Sequence, residues 1–127
     1  MKVLALDFGS ARTGVAVSDE TGTLARPIGV VERAATDAGL TRLAEIVAAE
    51  EAALVVVGLP LTLRGEHGAQ ARETEAFVEG LRARLEVPVE TYDERFTTTL
   101  AQQTAGRAPE DAVAAAHLLQ GWLERGR

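Results

Sequence analysis

The chain has 127 residues, 46% of them hydrophobic and 25% charged, with 12 glycines and 4 prolines. That composition excludes a disordered, collagen-like or coiled-coil chain and fits one domain, 1–127, that buries about two thirds of its unfolded surface. Thirteen basic against nineteen acidic side chains leave a net charge of −6, which argues against a protein that coats nucleic acid by bulk electrostatics, so a polyanion has to be held locally.

In chain order, Val3-Leu4-Ala5-Leu6 followed by Asp7-Phe8-Gly9 reads as a short buried strand ending in a polar, flexible corner. Residues 13–18 supply a second strand, and Gly9 to Arg12 suit a hairpin turn, so the first two strands are expected to be antiparallel. The apolar segment 28–31 predicts a third strand beside the second. Over residues 37–51, Leu40, Leu43, Ala44, Val47 and Ala48 recur at helical spacing, which predicts a crossover helix. Residues 53–57 are apolar on both faces and predict a central parallel strand. A glycine-rich loop at 64–68 leads into a helix expected over 69–86 with Ala76, Phe77, Leu81 and Leu85 inward. Residues 87–92 predict the last strand, and helical pieces are expected over 97–105 and 109–124.

This order, three strands in a meander and then alternating helices and strands, predicts an α/β chain. Its architecture is ribonuclease H-like: a mixed five-stranded sheet, the first three strands antiparallel, with helices on both faces. The alternative, a flavodoxin-like doubly wound sheet, requires parallel pairing where the hairpin is expected.

The apolar runs fall far short of the roughly 20 residues of a membrane helix. The start reaches Asp7 too soon for a secretory signal, so the expectation is a cytoplasmic chain with no membrane partner. No cysteine is present, which excludes thiol nucleophiles, disulfides and zinc–thiolate sites.

Three carboxylates stand where strand ends or helix starts bring them over one edge of such a sheet: Asp7, Glu94 and Asp111. Asp7 shares a strand face with Val3 and Ala5, which makes it partly desolvated; the structural alternative is a strand-end Asp that caps its turn. Glu94 and Asp93 alternate to opposite sides if the strand persists, and the alternative is a solvated turn with Arg95 as ion partner. Asp111 lies in the first turn of the last helix, where the helix dipole alone is a sufficient reason for it. It also falls at helical spacing with Ala114, Ala115, Leu118 and Trp122, and the small alanines would let the helix approach the sheet closely.

Converging carboxylates repel one another unless a cation neutralises them, and an all-oxygen set selects Mg²⁺ or Mn²⁺ over zinc. Two such ions about 4 Å apart suit hydrolysis of a phosphodiester, which makes nucleic acid the expected substrate class.

Four blocks carry a family resemblance: LALDFGSARTGVAVSD at 4–19, VVVGLPLTLRGEHG at 55–68, TYDERFTTTLA at 91–101 and DAVAAAHLLQGWL at 111–123. Together, in this order and over nearly the whole chain, they resemble the YqgF (RuvX) family of bacterial RuvC-like nucleases. The resemblance implies a ribonuclease H-like fold, divalent-metal phosphodiester hydrolysis, a proposed part in maturing the 5′ end of pre-16S rRNA, and kinship with Holliday-junction resolvases. By position it assigns the acidic set to Asp7, Glu94 and Asp111, and it brings ribosome-processing proteins in as possible partners. The chain departs from the family in a short connection before Asp111 whose sole cation is Arg107. Thr62 and Arg64 stand where the family has Asn and Asp.

Arg12, Arg64, Arg95 and Arg107 are the cations expected to hold phosphates of RNA or branched DNA at this edge, although each is equally an ordinary surface arginine. Aromatic residues are 4% of the chain, so a base-stacking platform is not indicated. His67 reads as an exposed loop bystander, His117 as a structural or surface residue, and Ser10 lacks a neighbouring base. Two other classes compete. Asp7-Phe8-Gly9 with Gly14 also resembles the first phosphate motif of the actin and sugar-kinase superfamily, which uses two lobes where this chain has one. A non-catalytic scaffold binding RNA or a processing protein is the other. Monomer and homodimer are equally compatible with the sequence.

Overall fold

In a computed structural model, which describes residues 1–60, 68–93 and 110–125, the first apolar run becomes strand β1 (Val3–Asp7). It folds back antiparallel on β2 (Arg12–Ser18), which pairs antiparallel with β3 (Ala25–Glu32). After helix α1 (Asp37–Glu50), strand β4 (Leu54–Leu59) returns parallel to β1. After helix α2 (Ala69–Arg84), β5 (Val89–Asp93) adds parallel to β4. The last described element is helix α3 (Glu110–Glu124). The sheet order is β3-β2-β1-β4-β5, the mixed five-stranded α/β arrangement expected from the sequence. The antiparallel hairpin removes the flavodoxin-like alternative.

Alternation along β1 divides the interior into two layers. Leu4 and Leu6, with Val15, Val55 and Val57, pack against Leu40, Leu43 and Val47 of α1 and Phe77, Val78 and Leu81 of α2. Val3 and Ala5, with Ala16, Leu54 and Val56, meet Ala115, Leu118, Leu119 and Trp122 of α3 on the opposite face. β1 and β4 are apolar at successive positions because both of their faces are covered.

Local chemistry sets the element ends. Thr36 caps α1, its Oγ1 accepting a hydrogen bond from the Gly39 amide at 3.1 Å. Arg84, the last residue of α2, pairs with Asp37 at the start of α1 at 2.6 Å, fastening the two helices of that layer.

Several expected boundaries move. β3 begins at Ala25 and runs through Pro27, because it is an edge strand and the missing proline N–H takes no partner from the sheet. β5 begins at Val89, just after Pro88, whose carbonyl accepts the Val55 amide at 3.0 Å. In α2 the inward face is Ala71, Thr74, Phe77, Val78 and Leu81, whereas Ala76, expected inside, is exposed. The helical piece expected over 97–105 lies outside the described residues.

Candidate active site

The carboxyl ends of the parallel strands β1, β4 and β5 fall at one edge of the sheet, together with the amino end of β2. Asp7 closes β1 there. It is half-buried, and by parity it points to the same side as Val3 and Ala5, the side covered by α3. The next residue, Phe8, turns to the other layer, where its ring stacks on Phe77 of α2 with centroids 4.3 Å apart. That contact fixes the direction in which the chain leaves Asp7.

Asp111 reaches the same edge through a glycine. Asp7 stands opposite Gly14 in the β1–β2 ladder, where antiparallel partners have Cα atoms about 4.5–5.5 Å apart. A Cβ added to Gly14 would lie 1.8 Å from the Asp111 carbonyl oxygen and 2.9 Å from the Ala112 amide nitrogen. The first turn of α3 therefore rests on the bare Cα of Gly14, one rung from Asp7. The close approach was expected from Ala114 and Ala115. Ala112 and Ala115 are the alanines fully buried in this helix, while Ala114 is only partly covered and Asp111 flanks the buried stripe. The role of Gly14 as the seat of this helix is what the sequence reading missed, having placed the residue only in a phosphate-motif resemblance. Its signal was available, since a glycine inside a strand often marks a place where another backbone comes close.

The carboxylates differ in their partners. Among the described residues, no hydrogen bond or ion pair engages the side chain of Asp7, so the turn-capping alternative has no contact to support it. The Gly9 amide faces the Thr13 hydroxyl instead, at 3.5 Å, the outer limit of a hydrogen bond. Asp111 is paired, its Oδ2 lying 3.2 Å from Nε of Arg12, and its side chain is about one third exposed. Arg12, expected to meet phosphate, is therefore occupied in this state. Asp93 ends β5 half-buried and is itself engaged in an interaction. Glu94, Arg64, Arg95 and Arg107 lie outside the described residues, as does His67. His117 is partly buried and has a partner, in keeping with a structural role.

Among the described residues no group of three or more potential metal ligands gathers, and the set expected from the sequence includes Glu94. The two acids that are described suit a hard divalent cation: both offer carboxylate oxygen alone, both keep access to solvent, and no cysteine or histidine stands among them.

A model of the RuvX family, described as Holliday junction resolvase, matches residues 1–125. The chain belongs to the RuvX family. Among its relatives, a protein of Chloroflexus aggregans named as a candidate pre-16S rRNA nuclease is 40% identical, over 98% of this chain and 94% of its own length. An Anaeromyxobacter protein of the same description is 41% identical over 98% of this chain and 97% of its own. In three dimensions this RuvX-family chain is similar to Thermus thermophilus RuvC solved in complex with a Holliday junction, with a TM-score of 0.65, 18% identity, and coverage of 99% and 96% of the two chains. At that identity the likeness establishes a RuvC-like, ribonuclease H-like fold. No helix among the described residues is long and apolar enough to cross a membrane.

Proposed function

We propose that this chain is a divalent-metal-dependent nuclease that hydrolyses phosphodiester bonds of structured nucleic acid, with precursor 16S rRNA at its 5′ end as the substrate. Asp7, Glu94 and Asp111 are its acidic set. The observation that carries this reading is the seating of Asp111 on Gly14, the ladder partner of Asp7, at the edge where β5 also ends, at Asp93. Two acids brought to one edge by fixed backbone offer oxygen ligands from two elements to a single hard cation. The names of the RuvX relatives support the RNA substrate.

Asp7, Glu94 and Asp111 would hold Mg²⁺ or Mn²⁺, which when bound supplies charge neutralisation at the attacked phosphate and the leaving oxygen. The chain's own part is orientation. Phe8 against Phe77 and the α3 seat on Gly14 fix the two backbones, so the carboxylates of Asp7 and Asp111 move by side-chain rotation. Water attacks phosphorus directly, the bond to the 3′ oxygen breaks, and the product carries a 5′-phosphate with no covalent enzyme intermediate. The protein works in the cytoplasm, where precursor rRNA is found, and ribosome-processing proteins are its expected partners.

The family description and the RuvC-like fold favour a second substrate, branched DNA. The Arg12–Asp111 pair favours a second role, a scaffold without catalysis, since one acid is already neutralised by an arginine. A single assay separates the three. Purified protein is offered 5′-extended 16S precursor RNA and a four-way DNA junction in Mg²⁺ or Mn²⁺, as wild type and as Asp7→Asn. Cleavage of the RNA, lost at least about a hundredfold in the variant, is the expected result, because changes one shell further from a metal already cost 10- to 100-fold. Cleavage of the junction alone favours the resolvase reading. No cleavage of either substrate, or undiminished cleavage by Asp7→Asn, overturns the assigned role.

A further inference from the structure

The ion pair between Arg12 and Asp111 joins two elements whose backbones are fixed. Arg12 opens β2, in register opposite Glu32 of β3. Asp111 is held over Gly14, further along the same strand. Between them lies one contact, Nε to Oδ2 at 3.2 Å, with the arginine side chain 64% exposed and the carboxylate 34% exposed. Such a pair opens by rotation of an exposed side chain, with no change in the sheet or the helix. A guanidinium and a divalent cation cannot share this carboxylate cheaply, since both are positive and would sit within a few ångströms of each other.

We propose that Arg12 is the resident counter-ion of Asp111, exchanged out when a divalent cation loads and thereby released to the rim of the site, where it meets a substrate phosphate. This rests on the reading of Asp7, Glu94 and Asp111 as a metal set. It makes Arg12 a positioning residue that couples metal loading to readiness for a polyanion: the metal opens the pair, and the freed guanidinium has its donors available for phosphate. It also explains how a chain of net charge −6 keeps its acidic edge from self-repulsion before metal arrives.

The test uses the full chain and the metal alone. Mn²⁺ binding is measured by calorimetry for wild type, Arg12→Gln and Arg12→Lys. The side-chain Nε–Hε resonance of Arg12, identified by its loss in Arg12→Lys, is followed during a Mg²⁺ titration of the wild type. Opening an exposed pair of this kind weakens metal binding about two- to fivefold, so Arg12→Gln is expected to bind Mn²⁺ tighter by that factor. Arg12→Lys, which keeps the charge, stays near wild type. The Arg12 resonance is expected to shift and broaden by solvent exchange as Mg²⁺ saturates. Unchanged or weaker Mn²⁺ binding by Arg12→Gln overturns the exchange and leaves the metal reading intact. A tighter variant with an unmoved Arg12 resonance also overturns it, because the gain would then come from long-range charge. Absence of saturable binding in wild type and Arg12→Gln alike defeats the metal reading, and this proposal with it.

Discussion

Gly14 and Asp111 meet backbone to backbone, so closely that a methyl group on the glycine would fall 1.8 Å from the aspartate carbonyl oxygen. Neither partner has a flexible side-chain end to give way. Gly14→Ala must therefore lift the first turn of α3 from the sheet or distort β2. The expected cost is about 1–3 kcal/mol, as for other overpacked positions, seen as a lower urea midpoint. Mn²⁺ affinity is expected to fall with it, since Asp111 moves away from Asp7. Wild-type stability in Gly14→Ala would contradict the seating described for α3.

The buried hydroxyl of Ser18 accepts the Val3 amide at 2.8 Å and donates to the Asp19 carbonyl at 3.0 Å. It satisfies the amide at the very start of β1, where Ser18 is 1% exposed and water cannot replace it. Ser18→Ala leaves that amide without an acceptor and is expected to lower stability by about 1–3 kcal/mol. The site lies at the far end of β1, so Mn²⁺ affinity should be unchanged. A loss below about 0.5 kcal/mol, the ordinary effect of a surface change, would mean that the amide finds another partner.

Asp19 shapes the turn between β2 and β3. Its carboxylate accepts the Thr23 amide at 2.8 Å, the Thr21 hydroxyl at 2.9 Å and the Leu24 amide at 3.3 Å. These donors, the Thr23 amide first, hold its pKa below the ordinary 3.8. A carboxyl group whose folded pKa is depressed adds stability above its unfolded pKa and loses that contribution as pH falls through the folded value. The turn is therefore expected to be intact at neutral pH and to loosen only in acid below 3.8. Asp19→Asn should flatten the dependence of the unfolding midpoint on pH in that acid window. Equal pH profiles for the two proteins would show that the turn bonds do not distinguish the charged from the neutral group.

What could be read from the sequence, and what could not, follows from the range of the forces involved. β1 and β4 were legible because burial on both faces leaves an unbroken apolar run. The face that Asp7 occupies followed from the alternation that puts Val3 and Ala5 inside. The start of β3 was hidden because Pro27 reads as a stop, and only its place at the sheet edge makes it harmless. The inward face of α2 was misread at Ala76 because alanine suits either side of a helix. Thr74 was overlooked because a buried threonine satisfies itself locally, donating to the Gln70 carbonyl at 2.8 Å. The Arg12–Asp111 pair depends on how α3 lands on β2, a contact between distant parts of the chain for which local pattern carries no signal. Asp7 and Asp111 were expected over one edge from strand and helix positions, while Gly14, on which α3 seats, stood in the sequence only as part of a phosphate-motif resemblance.

If Asp7 is a metal ligand, its removal has a signature in stability that a structural carboxylate would lack. The residue is half-buried at the end of β1, and among the described residues no hydrogen bond or ion pair engages its side chain, so Asp7→Asn removes a charge without breaking a described contact. The metal-free variant is expected to melt at or above the wild-type temperature. A ligand that binds only the folded state stabilises it by mass action, about 2.7 kcal/mol at one hundred times its dissociation constant. Saturating Mn²⁺ should therefore raise the wild-type melting temperature by several degrees, given about 2–8 °C per kcal/mol for domains near this size. It should leave Asp7→Asn nearly unmoved. Differential scanning fluorimetry with Mn²⁺, and with Ca²⁺ as a second hard cation, reads both effects. A variant that melts well below wild type without metal would assign Asp7 to the support of the hairpin. One that still gains the full shift with Mn²⁺ would exclude it from the metal set even if cleavage were lost.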